Sequence, residues 1–199
     1  MLVDQFIGLD NAIVVAHPDD EILWAGGLPL HFRDRRWTII CCSIPIRDPI
    51  RAYKFFDVCE ALGARGRILP YVHPERAFPL ENMDQLDLSP YDTIITHNEV
   101  GEYGHFQHKW VNAFVREHYT SNSKRILTFG YSKDRVGELS LTLNEWETEL
   151  KIKAMRKYDY PVPGNSELVQ WQFMEAAYIA KWGLNMSVET YDLLHISNN

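Results

Sequence analysis

The chain has 199 residues, of which 46% are hydrophobic and 24% charged, so it is long enough for one domain with a sizeable core and is neither fibrous nor disordered in composition. Its formal net charge of −7 excludes the basic footprint of a nucleic-acid binder and disfavours adsorption to anionic membranes. Three cysteines without CxxC spacing argue against a disulfide framework or a thiolate zinc site, and no apolar run reaches the length of a membrane span. The N-terminus carries Asp4 and Asp10 rather than a basic region ahead of an apolar one. The expectation is a single domain over 1–199, cytoplasmic, with reduced thiols and no membrane insertion.

Ala12–Ala16 is apolar throughout and predicts a first strand covered on both faces. Ala16-His17-Pro18-Asp19-Asp20-Glu21 follows it directly, crowding one imidazole and three carboxylates into a turn at the end of a strand. Such groups are seldom buried unless paired or bound to metal, and the carboxyl ends of strands in an open α/β sheet are where ligands bind. A helix is expected over Ile22–Phe32, interrupted by Gly26-Gly27 and Pro29; glycine there permits a close approach of backbone or ligand. Trp37–Ser43 predicts a second buried strand, with Cys41 and Cys42 pointing to opposite faces. Pro49–Leu62 predicts a helix with a stripe of Phe55, Val58, Cys59 and Leu62, ended by Gly63.

Arg67–Val72 is a short candidate strand, and His73–Pro90 a long excursion rich in proline and acids. Tyr91–Thr96 is a further strand, ending at His97, and Phe106–Tyr119 a helix whose apolar face holds Trp110, Val111, Phe114 and Val115. Between them lies His97-Asn98-Glu99-Val100-Gly101-Glu102-Tyr103-Gly104-His105-Phe106-Gln107-His108. His105 and His108, three apart, share a helix face, so one or both complete a metal shell begun by His17 and Asp20. Imidazole and carboxylate donors without thiolate suit a catalytic zinc with one position left for water. Arg125–Gly130 predicts another strand, Asn144 and Glu147 a capping box opening a helix over Glu145–Tyr158, and Glu167–Trp182 a last amphipathic helix beyond Pro161 and Pro163. Strands alternating with helices predict a three-layer α/β/α sandwich, Rossmann-like, with a mostly parallel sheet and the site at the carboxyl edge of its strands.

The hexapeptide Ala16–Glu21, the glycine pair Gly26-Gly27 and the distal Gly104-His105-x-x-His108 together resemble the PIG-L/LmbE family of zinc-dependent N-deacetylases, which act on N-acetylglucosaminyl conjugates. The resemblance covers about the first two-thirds of the chain. It implies that His17, Asp20 and His108 bind Zn2+ or another divalent transition metal, that Asp19 is the general base, and that His105 sits beside the open coordination position. It also implies that Arg51 contacts the sugar conjugate; Tyr103 adds a phenolic hydrogen bond or packs. Two departures stand out. Phe106-Gln107 occupies the place of a frequent Pro-Asp, removing the carboxylate that would tune His105, and Lys54 replaces a common Glu.

Read this way, a small sugar conjugate is the partner, homo-oligomerisation is left open, and the reaction is removal of an N-acetyl group by metal-activated water. Two other classes compete: a metallohydrolase of a non-sugar amide or an ester, and a non-catalytic metal- or sugar-binding domain. A phosphoesterase would gather more basic residues than Arg47, Arg51 and Lys54, and a pure binding module has no need of Asp19. Glu21 is expected to orient the turn, His97 to be a structural histidine, and Trp24 to lie in the core.

Overall fold

The computed structural model describes residues 2–45, 50–69, 72–73, 83, 85–119, 124–131, 136–158 and 185–194. Strand β1 (Asp10–Val15) leads through α1 (Asp20–Ala25) and α2 (Gly27–His31) to β2 (Arg36–Cys41), then β3 (Ile44–Pro45), α3 (Ile50–Ala61), β4 (Arg65–Ile68) and β5 (Val72–His73). The second half holds β6 (Thr93–Thr96), α4 (Gly101–Gly104), α5 (Phe106–Tyr119), β7 (Arg125–Phe129), β8 (Leu139–Thr142), α6 (Glu145–Met155) and β9 (Val188–Leu193). The main sheet has the order β4-β2-β1-β6-β7-β9-β8, and β3 pairs with β5 separately. Its first five strands are mutually parallel, while β9 runs antiparallel to β7 and β8.

Apolar runs make the central strands because both faces are covered. On one face Ile13, Val15, Ile39, Cys41, Ile95 and Leu127 pack with residues of α1, α2, α3 and α6. On the other, Val14, Ile40, Cys42, Ile94 and Ile126 pack with Val111, Phe114 and Val115 of α5 and with Met83, Leu86 and Leu88. Adjacent cysteines thus face opposite layers, and the layers form the expected sandwich. Met83, Leu86 and Leu88 seat part of the 73–90 excursion against the sheet.

Strand β1 lies between β2 and β6, so the chain order reverses at it. The crevice outside the carboxyl ends of strands at such a reversal is the usual binding place of an open α/β sheet. The turns after β1 and β6, which carry the two motifs, meet in it.

Several elements differ from expectation in their bounds. The helix over Ile22–Phe32 is two short helices meeting at Gly26-Gly27, and the segment Arg67–Val72 divides into β4 and the start of β5. The helix from Glu145 has its capping box, closed by Asn144 and Glu147, but tightens into a 3-10 turn over Arg156–Tyr158. Strands β8 and β9 are additional to the elements expected from the sequence. The inward residues of β9 are Glu189 and Tyr191, and the buried carboxylate interrupts the hydrophobic alternation that would mark a strand. The helix expected over Glu167–Trp182 lies outside the described residues.

Glu189 is the hub that ties this edge to the motif helices. Its Oε1 accepts from Lys151 Nζ at 2.5 Å and from the backbone N–H of Gly27 at 2.6 Å, and its Oε2 accepts from the Tyr191 hydroxyl at 2.5 Å. A Cβ on Gly27 would stand 2.8 Å from that carboxylate, so glycine is required for the approach. Lys151 and Glu189 side chains are only 1% and 2% exposed, and removing one partner of such a pair strands the other charge. Lys151→Met is expected to lower unfolding free energy by about 3–5 kcal/mol in urea denaturation. A loss below about 1 kcal/mol would show that the hydroxyl and amide donors alone satisfy Glu189.

Candidate functional site

The first turn is built under backbone strain. Asp19 has φ +109°, one of two non-glycine residues with positive φ among the described residues, the other being Glu102 at +55°. Conformations of this kind cost on the order of 1–3 kcal/mol and persist where the surroundings enforce them. Asp19 stands at the N-cap of α1, where aspartate ordinarily accepts a bond from the helix; here it makes no such bond. Its carboxylate is instead paired with the guanidinium of Arg51, which reaches over from α3. The Asp19 backbone N–H donates to Glu21 Oε2 at 2.9 Å, and Glu21 Oε1 accepts from the Tyr158 hydroxyl at 2.5 Å. Burial pushes the Glu21 carboxyl up to about 8, against the pull of that hydroxyl, so Glu21 is a buried prop of the turn.

The second motif meets the first across the crevice. The rings of His17 and His105 are 4.8 Å apart, those of His105 and His108 4.6 Å, and His97 stacks on His108 at 3.8 Å. Two overlapping groups, His17–His105–His108 and Asp20–His97–His108, each have donor atoms within 4.8 Å of one another. His17 Nδ1 lies 3.2 Å from Asp20 Oδ2, and His108 Nε2 lies 3.3 Å from Asp20 Oδ1. Donors around a tetrahedral zinc at about 2.0–2.1 Å stand roughly 3.3–3.4 Å from each other, so these separations suit a shared cation.

His97 is excluded from that role by its own hydrogen bonds. Its Nε2 accepts from the Ala16 N–H at 2.9 Å and its Nδ1 donates to Glu102 Oε2 at 3.0 Å, leaving no lone pair to offer. At 3.5 Å the Asp20 carboxylate is a neighbour of His97 rather than its bonding partner. His108 is arranged the opposite way. Its Nδ1 donates to Glu102 Oε2 at 2.5 Å, while its Nε2 is buried, without a hydrogen-bond partner, and turned toward Asp20. A histidine whose far nitrogen donates to a carboxylate while the near one is left open is the arrangement of a metal ligand.

Glu102 is held to receive both imidazoles. Its Oε1 accepts from the Asn98 N–H at 2.9 Å, and its own N–H donates to Asn98 Oδ1 at 2.9 Å. Asn98 is anchored in turn by Nδ2 to the carbonyls of Phe129 and Tyr131, and Asn112 Nδ2 donates to the His97 carbonyl at 2.7 Å. The positive φ of Glu102 lets its backbone and carboxylate close on Asn98 together.

Electrostatics favour a cation at this point. Burial alone would raise Asp20 and Glu102, but the surrounding imidazoles hold both carboxyls below their ordinary values. Burial would likewise lower His108, yet Asp20 and Glu102 outweigh it and raise the imidazole to about 9. Burial, and then the charge on His108, hold His105 down to about 3. Asp20 and Glu102 are thus ionised with one imidazolium to answer them, and a divalent cation in place of that proton balances the pair. The donor set, with no thiolate and one orphaned buried nitrogen on each of His105 and His108, fits a zinc-like ion.

All seven residues singled out from the sequence fall in one neighbourhood. His17, Asp20, His105 and His108 line the candidate centre, and Asp19 and Arg51 form an ion pair at its edge. Tyr103 is 38% exposed, with its ring edge-on to those of His105 and His108. Glu102, Asn98 and Gln107 were not foreseen, and His97 is tied more closely to the centre than a lone structural histidine. The alternation of acids and imidazoles over 97–108 was a usable signal for Glu102; nothing local marks Asn98.

No family model matches the chain. The uncharacterized protein L374 of Acanthamoeba polyphaga mimivirus is 26% identical over 151 residues, a match spanning 64% of this chain and 64% of that protein's length. Among solved structures, N,N'-diacetylchitobiose deacetylase from Pyrococcus horikoshii aligns with a TM-score of 0.65 at 14% identity, covering 95% of this chain and 87% of that one. GalB, the 4-carboxy-2-hydroxymuconate hydratase from Pseudomonas putida KT2440, aligns with a TM-score of 0.58 at 15% identity, covering 96% and 99%. The chain has the α/β fold of LmbE/PIG-L-like deacetylases. Because a hydratase shares it, the reaction has to be argued from the site.

In the metal-free protein the folded state keeps protons that the unfolded chain has released. Stability therefore falls as pH rises, from 4.5 to about 8 for Glu21 and from 6.5 to about 9 for His108. His108→Gln is expected to flatten the part of this slope between about pH 8 and 9 in urea titrations, and a slope unchanged in that variant would place the alkaline-titrating group elsewhere.

Proposed function

We propose that this chain is a metal-dependent N-deacetylase of the PIG-L/LmbE-like family, hydrolysing the acetamide of an N-acetylglucosaminyl-type sugar or conjugate. The observation that carries this reading is Asp19: a carboxylate next in sequence to a candidate ligand, held in a strained backbone and withdrawn from the helix cap it would ordinarily make. A binding domain gains nothing from that arrangement. His17, Asp20 and His108 would hold Zn2+ or a similar divalent ion. When bound, such an ion polarises an acyl oxygen and brings the pKa of water to about 7.

The side chains divide the remaining work. Asp19 accepts a proton from the attacking water at its carboxylate oxygen, and Arg51 orients that carboxylate until the sugar conjugate enters. His105 stays neutral at physiological pH and lends a hydrogen bond to the oxyanion that develops on the acetamide carbonyl oxygen. Asp19 then returns its proton to the nitrogen as the C–N bond breaks, releasing amine and acetate. Tyr103, partly exposed beside His105 and His108, would add a phenolic hydrogen bond to the same oxyanion or pack there.

A second reading, addition of water across the double bond of an unsaturated acid, draws on the shared fold of the hydratase. It needs the same base and cation but no leaving amine. Assay of acetate and free amine from N,N'-diacetylchitobiose and related N-acetylglucosaminyl conjugates, with chelator and with added zinc, separates the two. Amine release that chelator abolishes and zinc restores supports deacetylation; none across the panel removes it.

Asp19→Asn is expected to lower kcat on the order of 100- to 10,000-fold while bound zinc, by elemental analysis, stays near one per chain. Full activity in that variant would remove Asp19 as the base. Arg51→Ala is expected to raise KM more than it lowers kcat, and a fall confined to kcat would assign Arg51 to Asp19 alone.

A further inference from the structure

Gln107 stands where the resemblance expects a carboxylate, near the start of α5, and its side chain is buried. It does not face His105, its near neighbour in sequence. Its Oε1 instead meets His17 Nε2 across the crevice, joining the second motif to the first. The amide nitrogen on the other side is buried without a partner.

This contact decides which nitrogen of His17 carries hydrogen. A carbonyl oxygen only accepts, so Nε2 is the donor and the lone pair of a neutral imidazole lies on Nδ1. Nδ1 faces Asp20 Oδ2 at 3.2 Å. Two acceptors at that distance repel unless a positive charge lies between them. With its oxygen toward His17, the amide serves the Nε2–H tautomer without adding charge, whereas a carboxylate in its place would add a negative charge to a centre that already buries Asp20 and Glu102.

We propose that Gln107 is a positioning residue for the metal centre: its carbonyl oxygen selects the His17 tautomer whose Nδ1 lone pair is directed, with Asp20, at a divalent cation. The proposal rests on the metal-site reading above, and wild-type zinc affinity serves as the separate test of that reading.

The experiment uses the full chain stripped of metal and titrated with Zn2+ against a chromophoric chelator, alongside long-range 1H–15N spectra of the zinc-loaded protein. Gln107→Met keeps the shape and removes both polar atoms; Gln107→Glu keeps the acceptor and removes the donor. Expected are a weakening of zinc affinity of about 10- to 100-fold in the Met variant, affinity at least equal to wild type in the Glu variant, and an Nε2–H tautomer for His17 in wild type and Glu variant alike. Equal zinc affinity in wild type and Met variant overturns the proposal, and so does equal weakening in both variants, which would make Gln107 a packing residue. A wild-type chain that binds no zinc overturns the metal-site reading itself, and with it the proposal.

Discussion

Everything at the carboxyl edge of this sheet follows from two buried carboxylates, Asp20 and Glu102, placed on either side of one imidazole. Both are buried, and both are kept ionised by the histidines around them. Such a cluster is stable only when positive charge sits among it. The inward orientation of His108, the fixed tautomer of His97 and the anchoring of Asn98 all place donors so that Glu102 can be negative and Asp20 can face something positive. The catalytic reading is a consequence of that balance, since the same arrangement leaves the Asp19 carboxylate paired with Arg51 rather than with the cluster.

The fold explains why two remote segments share the charge. Strand β1 lies where the strand order reverses, and β6 is its parallel neighbour. Residues just past the ends of both strands emerge at one place, with their backbones locked by the ladder below. Ala16 N–H reaching His97 Nε2 is the direct expression of that register: one strand's continuation caps the histidine that ends the next. The motif residues therefore sit directly past the ends of paired central strands rather than on a peripheral loop.

Much of this was legible in the sequence, for identifiable reasons. The central strands read correctly because burial on both faces leaves unbroken apolar runs, and α5 read correctly because one face alone is buried. The paired motifs were visible because acids and imidazoles at strand ends have no packing use. Part of what stayed hidden is polar groups turned inward, although β8, with Leu139 and Leu141 inward, alternates plainly and was missed for its shortness. Glu189 in β9 and Glu102 between two histidines are both buried, and hydrophobic periodicity does not register them. The direction of Gln107 was unreadable as well, because adjacency along the chain suggested His105 while the crossing of the crevice brought His17.

The positive φ angles of Asp19 and Glu102 carry a consequence for how this protein tolerates change. At most such positions glycine relaxes the main chain and makes the molecule sturdier. Here the strained geometry presents two carboxylates, so that remedy would remove the Arg51 ion pair and the partner of two imidazoles along with the tension. Any route to a hardier protein must therefore pass through distant surfaces and leave these two corners uncomfortable.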